Sequence, residues 1–339
     1  MKKTIPFFLL AITFSFTYFY ADFELPTLTT DQPEIDYLVQ DQGDIQLYFC
    51  PHEDCETALL QFIDSAQEYI HCALFEVGLE SIQEVLLEKE KQMEVQVVVD
   101  NNYLHKYNHS FVKADTWGLM HNKFCIIDGV KVSSGSMNPT NNGANKNNNN
   151  LLLINSEVLT ANYQAEFYEL WNGTFKKGDK VLNPSIMIGD IKIRNYFCPE
   201  DDCAERVKDE LKKAKKSVKL MTFSFTHDSI GNILLLMDLN NISIEGVMEA
   251  RQVTKYSQYE RLINQDIDVI KDGNKQNMHH KVFIIDDNIV VTGSFNPTNG
   301  GNEKNDENIL IIEDKEITAK FIEEYEYVRK EAEDKLKIT

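Results

Sequence analysis

An internal repeat limits the folds open to this chain more than any other feature of its sequence. Apolar residues at helical spacing recur 148 positions further on, where Leu59, Ile63, Ala66 and Ile70 correspond to Val207, Leu211, Ala214 and Val218. Further along the offset becomes 158, so the second half carries about ten extra residues after its third strand. Such a match indicates a tandem duplication, in which one folding unit is built twice.

The repeat also divides the chain into parts. We predict a first repeat at residues 43–176 and a second repeat at residues 188–335, with a preceding linker at residues 22–42. Residues 177–187 join the repeats, and their charged residues, followed by Asn183-Pro184, are typical of a linker. The 339 residues are therefore one half built twice rather than two unlike domains.

Both repeats follow the same order of predicted elements. A strand is followed by an amphipathic helix, a buried strand, a second helix, another strand, a hairpin, a last strand and a closing helix. This alternation predicts an α/β/α sandwich with a mixed sheet in each repeat, and a pseudo-two-fold axis between them. The asparagine-rich stretch 135–150 has a low-complexity composition, but it aligns with the more varied residues 293–308 and is predicted to be ordered.

The N-terminus predicts export. Lys2 and Lys3 are followed by an apolar run through Ala21, the pattern of a signal peptide. Phe19 makes the cleavage site poor, so residues 1–21 are interpreted either as a removed signal or as an uncleaved membrane anchor. In both cases the bulk of the chain is expected outside the cytoplasm, in the periplasm, secreted, or anchored to the membrane.

Four of the six cysteines form two copies of one short pattern, Cys50-Pro-His-Glu-Asp-Cys55 and Cys198-Pro-Glu-Asp-Asp-Cys203. Two local disulfides, free thiols and one zinc site shared by both pairs are all compatible with this spacing. Cys72 and Cys125 lie in apolar strands, where we interpret them as small buried hydrophobic residues.

One short motif in each repeat carries the chemistry. The two copies are His121-Asn-Lys123 with Asp128, and His279-His-Lys281 with Asp286. Alternate residues of a strand share a face, so each histidine points the same way as its lysine. Two such cations make a poor apolar core but a good phosphate site, since lysine binds phosphoryl oxygens and histidine acts as nucleophile or proton donor near neutral pH.

A second segment follows each motif six residues later. Gly135-Ser136-Met-Asn138 and Gly293-Ser294-Phe-Asn296 offer hydroxyl, amide and backbone donors to the same phosphate oxygens. Packing about a pseudo-two-fold axis would bring both sets into one cleft. There one histidine attacks phosphorus, while the other protonates the leaving oxygen and then activates water. Because the cations are side chains, we predict neither a metal nor a cofactor.

The doubled pattern His-x-Lys-x4-Asp-x6-Gly-Ser-x-Asn resembles that of the phospholipase D superfamily over nearly all of the chain after residue 43. The likeness is greatest to its compact branch of bacterial nucleases and mitochondrial cardiolipin hydrolases, here fused as two copies. The resemblance implies a metal-independent phosphodiesterase with a phosphohistidine intermediate and one active site built by both motifs.

The resemblance also implies residue roles. Covalent and acid–base catalysis falls to His121 and His279, and phosphate binding to Lys123, Asn138, Lys281 and Asn296, with Ser136 and Ser294 as supporting donors. Asp128 and Asp286 belong to the motif and count among its catalytic candidates, although anchoring the hairpin turn is the more plausible role for them.

A carboxylate that supports a catalytic imidazole is also implied by the resemblance. Glu307 fits this place in the second repeat, whereas Asn149 replaces it in the first. A carboxylate stabilises an imidazolium better than an amide does, so the two histidines should be inequivalent. We predict that Glu307 supports His279 as nucleophile and that His121 is the acid. The opposite assignment stays open, as does a site weakened by Asn149.

Charge bears on the substrate. Lys and Arg number 34, Asp and Glu number 54, and the net charge of −20 disfavours loose binding to nucleic acid or anionic lipid. With the membrane-directed N-terminus, phospholipase D-type cleavage of a phospholipid is our first hypothesis. An endonuclease that acts on DNA or RNA by the same mechanism is the alternative, and a binding module without turnover is a third. Since one chain holds both motifs, a monomer suffices.

Overall fold

The computed structural model describes residues 37–338. The predicted signal or anchor at residues 1–21 and most of the predicted linker at residues 22–42 lie outside the described residues. Within residues 37–338, no helix combines the length and the apolar composition needed to cross a bilayer.

Strands and helices alternate in both repeats in the predicted order. The first part of the chain forms β1 (Val39–Asp41), β2 (Asp44–Cys50), α1 (Cys55–Asp64), β3 (Tyr69–Leu74), α2 (Glu80–Glu90), β4 (Glu94–Val99), β5 (Val112–Ala114), β6 (Leu119–Met120), β7 (Lys123–Ile127), β8 (Lys131–Gly135), α3 (Asn141–Asn145), β9 (Asn149–Asn155) and α4 (Glu157–Trp171). The second part forms β10 (Ser185–Ile188), β11 (Ile191–Cys198), α5 (Cys203–Leu211), β12 (Ser217–Thr222), α6 (Asp228–Leu239), β13 (Ser243–Met248), α7 (Tyr259–Ile263), β14 (Asp268–Lys271), β15 (Lys281–Ile285), β16 (Ile289–Gly293), α8 (Asn299–Glu303), β17 (Asn305–Glu313) and α9 (Lys315–Ile338).

Each repeat builds its own mixed sheet, which confirms the predicted fold class. The first sheet has the order β2-β9-β8-β7-β3-β4-β5, and the second contains the same order as β11-β17-β16-β15-β12-β13-β14. In both sheets the motif strand, β7 or β15, lies between its antiparallel hairpin partner and an antiparallel neighbour, β3 or β12. The asparagine-rich stretch is ordered, as the repeat predicts, and forms α3 and the start of β9.

Two short strands lie in the ranges predicted as linkers. β1 runs parallel to β10, and β10 turns back antiparallel to β11, so both extend the second sheet. These residues form strands because Ile186 and Ile188 are buried against the core, and alternate burial of this kind fixes a strand on a sheet. The strand that precedes the first repeat therefore belongs to the sheet of the second.

Apolar side chains pack in three layers. A central cluster combines both sheets with the closing helices, for example Phe167 of α4 and Phe321 of α9. Helices α1 and α2 cover the outer face of the first sheet, and α5 and α6 cover that of the second. The two repeats thus share one core, which fixes the motif strands relative to each other.

All six cysteines lie among the described residues, and all are paired. Cys50–Cys55 and Cys198–Cys203 are local disulfides, so the thiol and shared-zinc alternatives do not apply. Cys72 and Cys125 are buried as predicted, but they also form a disulfide. The sequence pattern missed this bond because it depends on the register of β3 and β7, which sets the two residues opposite each other.

The motif aspartates anchor turns by hydrogen bonds at the far end of the motif strands. Asp128 accepts hydrogen bonds from the backbone N–H groups of Gln67, Glu68 and Tyr69 at 2.8–2.9 Å. Asp286 does the same for residues 215–217 at 2.7–3.0 Å. Seven residues along a strand separate each aspartate from the motif histidine, roughly 20 Å. The candidate catalytic role for these two residues is therefore wrong, and the turn-anchoring role is the one observed.

Replacing Asp128 or Asp286 by alanine should destabilise the fold and leave catalysis intact. Each change removes a carboxylate that accepts backbone N–H groups, so we expect a loss of about 1 kcal/mol in the free energy of unfolding, as for a helix cap. Urea denaturation measures the loss, and Asp190→Ala, in an exposed turn, is the control. A fall in turnover beyond the loss of folded protein would contradict this assignment.

Candidate active site

Backbone hydrogen bonds between the repeats bring the two motifs together. The N–H of His121 donates to the carbonyl oxygen of Asp306 at 2.9 Å, and that of His279 donates to the carbonyl oxygen of Asn148 at 2.9 Å. The two bonds are equivalent under the repeat. Each motif strand therefore begins against the last strand of the other repeat, β17 or β9, which is the predicted pseudo-two-fold arrangement.

Both motif histidines are buried against an aromatic ring. His121 and His279 are 7% and 8% exposed. Their rings meet Phe75 and Phe223 edge-on, with centroids 4.9 Å and 4.6 Å apart. Edge-to-face contacts of this kind restrict the rotation of each imidazole. The rings are thus held before any substrate arrives.

The side chains of the motif lysines donate hydrogen bonds to the backbone carbonyl groups of the motif histidines. Lys123 Nζ donates to the carbonyl oxygen of His121 at 2.5 Å, and Lys281 Nζ donates to that of His279 at 2.7 Å. Both lysines are buried, with 3% of each residue exposed. Each His–Lys pair shares one face of its strand, as the spacing predicts.

Glu307 supports His121, not His279. Its Oε2 lies 2.7 Å from His121 Nδ1 and accepts the hydroxyl of Ser294 at 2.7 Å, while Oε1 accepts Asn305 Nδ2 at 3.1 Å. The prediction that Glu307 supports the histidine of its own repeat was therefore wrong. The reason is the pairing of β17 with β6, which carries Glu307 across to the start of the first motif strand.

Asn149 holds the equivalent place behind His279. Its Oδ1 lies 2.9 Å from His279 Nδ1 and accepts the hydroxyl of Ser136 at 2.9 Å, while its Nδ2 donates to the carbonyl oxygen of Gly143 at 2.9 Å. An amide oxygen can only accept, so His279 carries its proton on Nδ1. Both imidazoles therefore direct Nε2 away from their supports.

The motif serines take a different place from the one predicted. Ser136 and Ser294 donate their hydroxyl protons to Asn149 and Glu307, the groups behind the imidazoles. The same hydroxyls accept the backbone N–H of Asn150 and of Asn308 at 3.0 Å and 2.9 Å. The serines position the supports of the histidines, and their hydroxyl protons are already engaged.

The glycine before each serine is required by close contact with the last strand. Gly135 and Gly293 have φ of +132° and +136°, in the region that favours glycine. A Cβ at either position would lie 2.5 Å or 2.4 Å from the carbonyl oxygen of Asn150 or Asn308. The absence of a side chain lets the serine segment reach the supports of the histidines.

The side-chain oxygens of both motif asparagines lack a hydrogen-bond partner. In the described residues, Oδ1 of Asn138 and of Asn296 is buried without a hydrogen bond. An unpaired buried polar atom costs about 1–3 kcal/mol. An amide oxygen only accepts, so a water or a donor group of a bound molecule, rather than an unprotonated phosphate oxygen, would recover part of that cost.

Burial lowers the pKa values of the basic groups in the site and so disfavours their charged forms. Burial, with repulsion from both lysines, lowers the pKa of His121 and of His279 well below the usual value. Burial also lowers the pKa of Lys123 to about 7, and burial with repulsion from Lys123 lowers that of Lys281. Burial raises the pKa of Glu307 to about 7. An anion in the cleft would favour the charged form of each cation, so the site is built to gain from binding phosphate.

A group of carboxylates lies behind the first motif strand. Single carboxylate oxygens of Glu166, Glu169 and Glu200 lie within 4.8 Å of one another, a geometry that could hold a cation. Glu166 and Glu200 are hydrogen-bonded to each other, and burial raises the pKa of both. A shared proton satisfies this pair without a metal.

Comparisons with known proteins agree with the geometry. A model of the family described as "Cardiolipin synthase, PLD-like domain" matches residues 59–171 and 207–329, one match in each repeat. The chain is 28% identical over 170 residues to a mitochondrial cardiolipin hydrolase of Chlamydomonas reinhardtii, across 46% of this chain and 72% of that protein. It is 27% identical over 135 residues to a phospholipase D of Rickettsia conorii, across 40% and 68%.

Among solved structures, the phosphatidylserine synthase of Haemophilus influenzae aligns with a TM-score of 0.63 over 84% of this chain and 86% of that chain. At 13% identity this likeness concerns the fold alone. The family model, by contrast, matches more than half of the chain and contains both motifs. The chain therefore belongs to the phospholipase D-like family.

Proposed function

We propose that the protein hydrolyses a phosphodiester bond of a phospholipid through a phosphohistidine intermediate. The observation that carries the proposal is the pair of buried imidazoles, each with Nδ1 held by a support and each with a lysine on the same strand face. Two such units from opposite sides of a pseudo-two-fold axis provide both an attacking nitrogen and a proton donor.

The two supports assign different roles to the two histidines. When Nε2 of His121 attacks phosphorus, its ring becomes positively charged, and the carboxylate of Glu307 stabilises that charge. His279, supported only by the amide of Asn149, is stabilised less as an imidazolium and gives up its proton more readily. We therefore assign His121 as nucleophile and His279 as acid.

The reaction then has two balanced steps. The bound phosphate favours a second proton on His279, at Nε2, while Nδ1 keeps its own. Nε2 of His121 then forms a bond to phosphorus, the bond from phosphorus to the leaving oxygen breaks, and His279 donates the Nε2 proton to that oxygen. His279 next accepts a proton from water, and the resulting hydroxide displaces His121 from phosphorus. Lys123 and Lys281, with the motif asparagines, stabilise the phosphoryl oxygens in both steps without a metal ion.

A phospholipid is the substrate class that we propose. The names of the relatives, a phospholipase D and a cardiolipin hydrolase, support this choice. The net charge of −20 opposes broad contact with a nucleic-acid backbone, whereas one headgroup phosphate needs only the local cations of the cleft.

We further propose that the protein works outside the cytoplasm as a monomer associated with the membrane through residues 1–21. Three disulfides support an oxidising compartment, and the lysines and apolar run at the N-terminus support export. Both histidines come from one chain, so a second copy adds nothing that the mechanism requires.

Turnover of a generic diester, bis-p-nitrophenyl phosphate, tests the activity. We expect turnover in the presence of EDTA, and its loss in both His121→Ala and His279→Ala. Vesicles of phosphatidylcholine with cardiolipin and, in parallel, single-stranded DNA then distinguish the substrates. Cleavage of DNA but not lipid would reject the phospholipid proposal, and activity abolished by EDTA would reject the metal-free mechanism.

A trapped phosphoenzyme tests the role assignment. We expect the phosphoryl group on His121, and we expect Glu307→Gln to lower its rate of formation by about 10²-fold, because the charge on the ring loses its carboxylate. Rapid quenching with a slow substrate and peptide mapping give the labelled residue. Asn149→Gln, which keeps an uncharged amide behind the other histidine, is the control. Label on His279 would contradict the assignment.

The pH dependence of kcat/KM should be bell-shaped with its maximum at or below pH 7, since the proton that His279 donates is lost at a lowered pKa. As pH falls below the pKa of Glu307, about 7, the carboxylate is protonated and no longer stabilises a charged His121. As pH rises above the pKa of Lys123, also about 7, a phosphate-binding charge is lost. Glu307→Gln should remove the acid limb and keep the basic limb. A flat profile between pH 5 and 9 would contradict these assignments.

A further inference from the structure

The side chain of the middle residue of each motif belongs to a buried hydrogen-bond network on the side of the strand away from the cleft. Asn122 and His280 lie between the motif histidine and lysine, and both are fully buried. Because side chains alternate along an extended segment, they lie on the side of the strand opposite the reacting groups. Nothing in the proposed reaction uses them.

His280 is held between an amide and a carboxylate. Asn150 Nδ2 lies 3.1 Å from His280 Nδ1, and His280 Nε2 lies 2.9 Å from Oε1 of Glu324 in α9. Since the amide donates to Nδ1, the proton of the imidazole is on Nε2 and is donated to Glu324. The second carboxylate oxygen of Glu324 lies 3.0 Å from Nε2 of His52, which belongs to the Cys50–Cys55 loop of the first repeat.

Asn122 is held in an equivalent network with different chemistry. Its Nδ2 donates to Oε1 of Glu166 in α4 at 3.2 Å, and its Oδ1 accepts Asn308 Nδ2 at 2.7 Å. Glu166 is hydrogen-bonded to Glu200, which belongs to the Cys198–Cys203 loop of the other repeat. Each residue of this network aligns with a residue of the first network under the repeat. Asn122 takes the place of His280 and Glu200 that of His52, so an amide and a carboxyl group replace the two imidazoles.

At the same glutamate position, the two networks shift the pKa in opposite directions. Burial alone would raise the pKa of Glu324, but hydrogen bonds from His280 and His52 outweigh it and lower that pKa. Burial and the neighbouring Glu200 raise the pKa of Glu166 well above its usual value, and burial raises that of Glu200 to about 7. The pKa of Glu324 thus lies below, and that of Glu166 well above, the ordinary value of a glutamate, so Glu166 keeps its proton to the higher pH.

We propose that Glu324 is a positioning residue, which acts as a carboxylate to fix the tautomer of His280 and, through it, the second motif strand. Two connections link the contact between Glu324 and His280 to the cleft. His280 is the chain neighbour of His279, and Asn150 accepts the backbone N–H of Ser136 at 3.1 Å, beside the support of His279. The proposal rests on the proposed function only in that His279 takes part in the reaction.

His52 connects this network to solvent. Its side chain is 33% exposed and borders a cavity of about 380 Å³. The charged and titratable groups around it are Glu53 of its own loop and Lys320, Glu323, Glu324, Tyr327 and Glu331 of α9. The interaction with Glu324 raises the pKa of His52, so Glu324 favours the charged form of this imidazole. This contact ties a disulfide loop of one repeat to the motif strand of the other.

The repeat itself supplies a matched control. Glu324→Gln replaces the carboxyl group whose pKa is lowered, whereas Glu166→Gln replaces the one whose pKa is raised and whose neutral form an amide resembles in shape and charge. We expect kcat/KM for bis-p-nitrophenyl phosphate to fall roughly tenfold in Glu324→Gln, as for other groups that orient a catalytic histidine. We expect a change of less than about twofold in Glu166→Gln. Urea denaturation of both variants separates this effect from a loss of folded protein.

A second measurement reads the position of the proton without any turnover. In 15N-histidine NMR, His280 should show one fixed tautomer with Nε2 protonated. Glu324→Gln should convert it to a mixture, because an amide has one accepting oxygen where the carboxylate offers one to His280 and one to His52. Glu166→Gln should leave that signal unchanged. Should Glu324→Gln fail to fold, His52→Gln keeps Glu324 and should shift the His280 signal in the same direction, with a smaller loss of kcat/KM.

The outcomes separate this proposal from the proposed function. Equal effects of Glu324→Gln and Glu166→Gln on the rate, or an unchanged His280 signal in Glu324→Gln, would overturn the positioning role. A wild-type protein that does not hydrolyse the diester would instead overturn the proposed function, while the tautomer of His280 and its dependence on Glu324 would still test the network.

Discussion

The contact between the last strand of one repeat and the motif strand of the other is the interaction on which the site depends. The backbone bonds from His121 to Asp306 and from His279 to Asn148 set the two motifs side by side in one chain. They also carry Glu307 and Asn149 across to support the histidine of the opposite repeat. Neither repeat holds a complete imidazole with its support, so the active site exists only where both meet.

Duplication allows the two halves of the site to differ while the backbone stays the same. A carboxylate supports one histidine and an amide supports the other. Behind the strands, Glu324 lies between two imidazoles, whereas Glu166 faces an amide and a second carboxyl group. A symmetric pair of histidines would have to share both roles, but attack and proton donation require different charge states at the same moment. Single substitutions at equivalent positions provide that difference.

The balance of charge follows from burial. Four groups that can be cationic are gathered in a small buried cleft, where burial and repulsion among them lower their pKa values. The acidic surface of the whole protein lies outside this cleft and does not remove that repulsion. A phosphate that enters the cleft relieves it, so recognition is local and depends on few contacts.

Local patterns predicted much of the fold and part of the site. The periodicity of the repeat gave the order of strands and helices, and the spacing of His121 with Lys123 gave their common strand face. The disulfide between Cys72 and Cys125 was missed because two strands far apart in sequence must first be placed in register. The support of His121 by Glu307 was mispredicted for the same reason, since the position of β17 beside β6 is a contact between repeats.

The sequence by itself determined the duplicated α/β fold, the family resemblance and the side chains that meet at the candidate site, because these depend on periodicity and spacing along one chain. Only the tertiary structure decided which group lies behind which histidine, that Asp128 and Asp286 anchor turns, and that the pKa values of Glu324 and Glu166 shift in opposite directions. These properties arise from burial and from contacts between distant segments, and the free energy of a charge depends on those surroundings rather than on its place in the sequence.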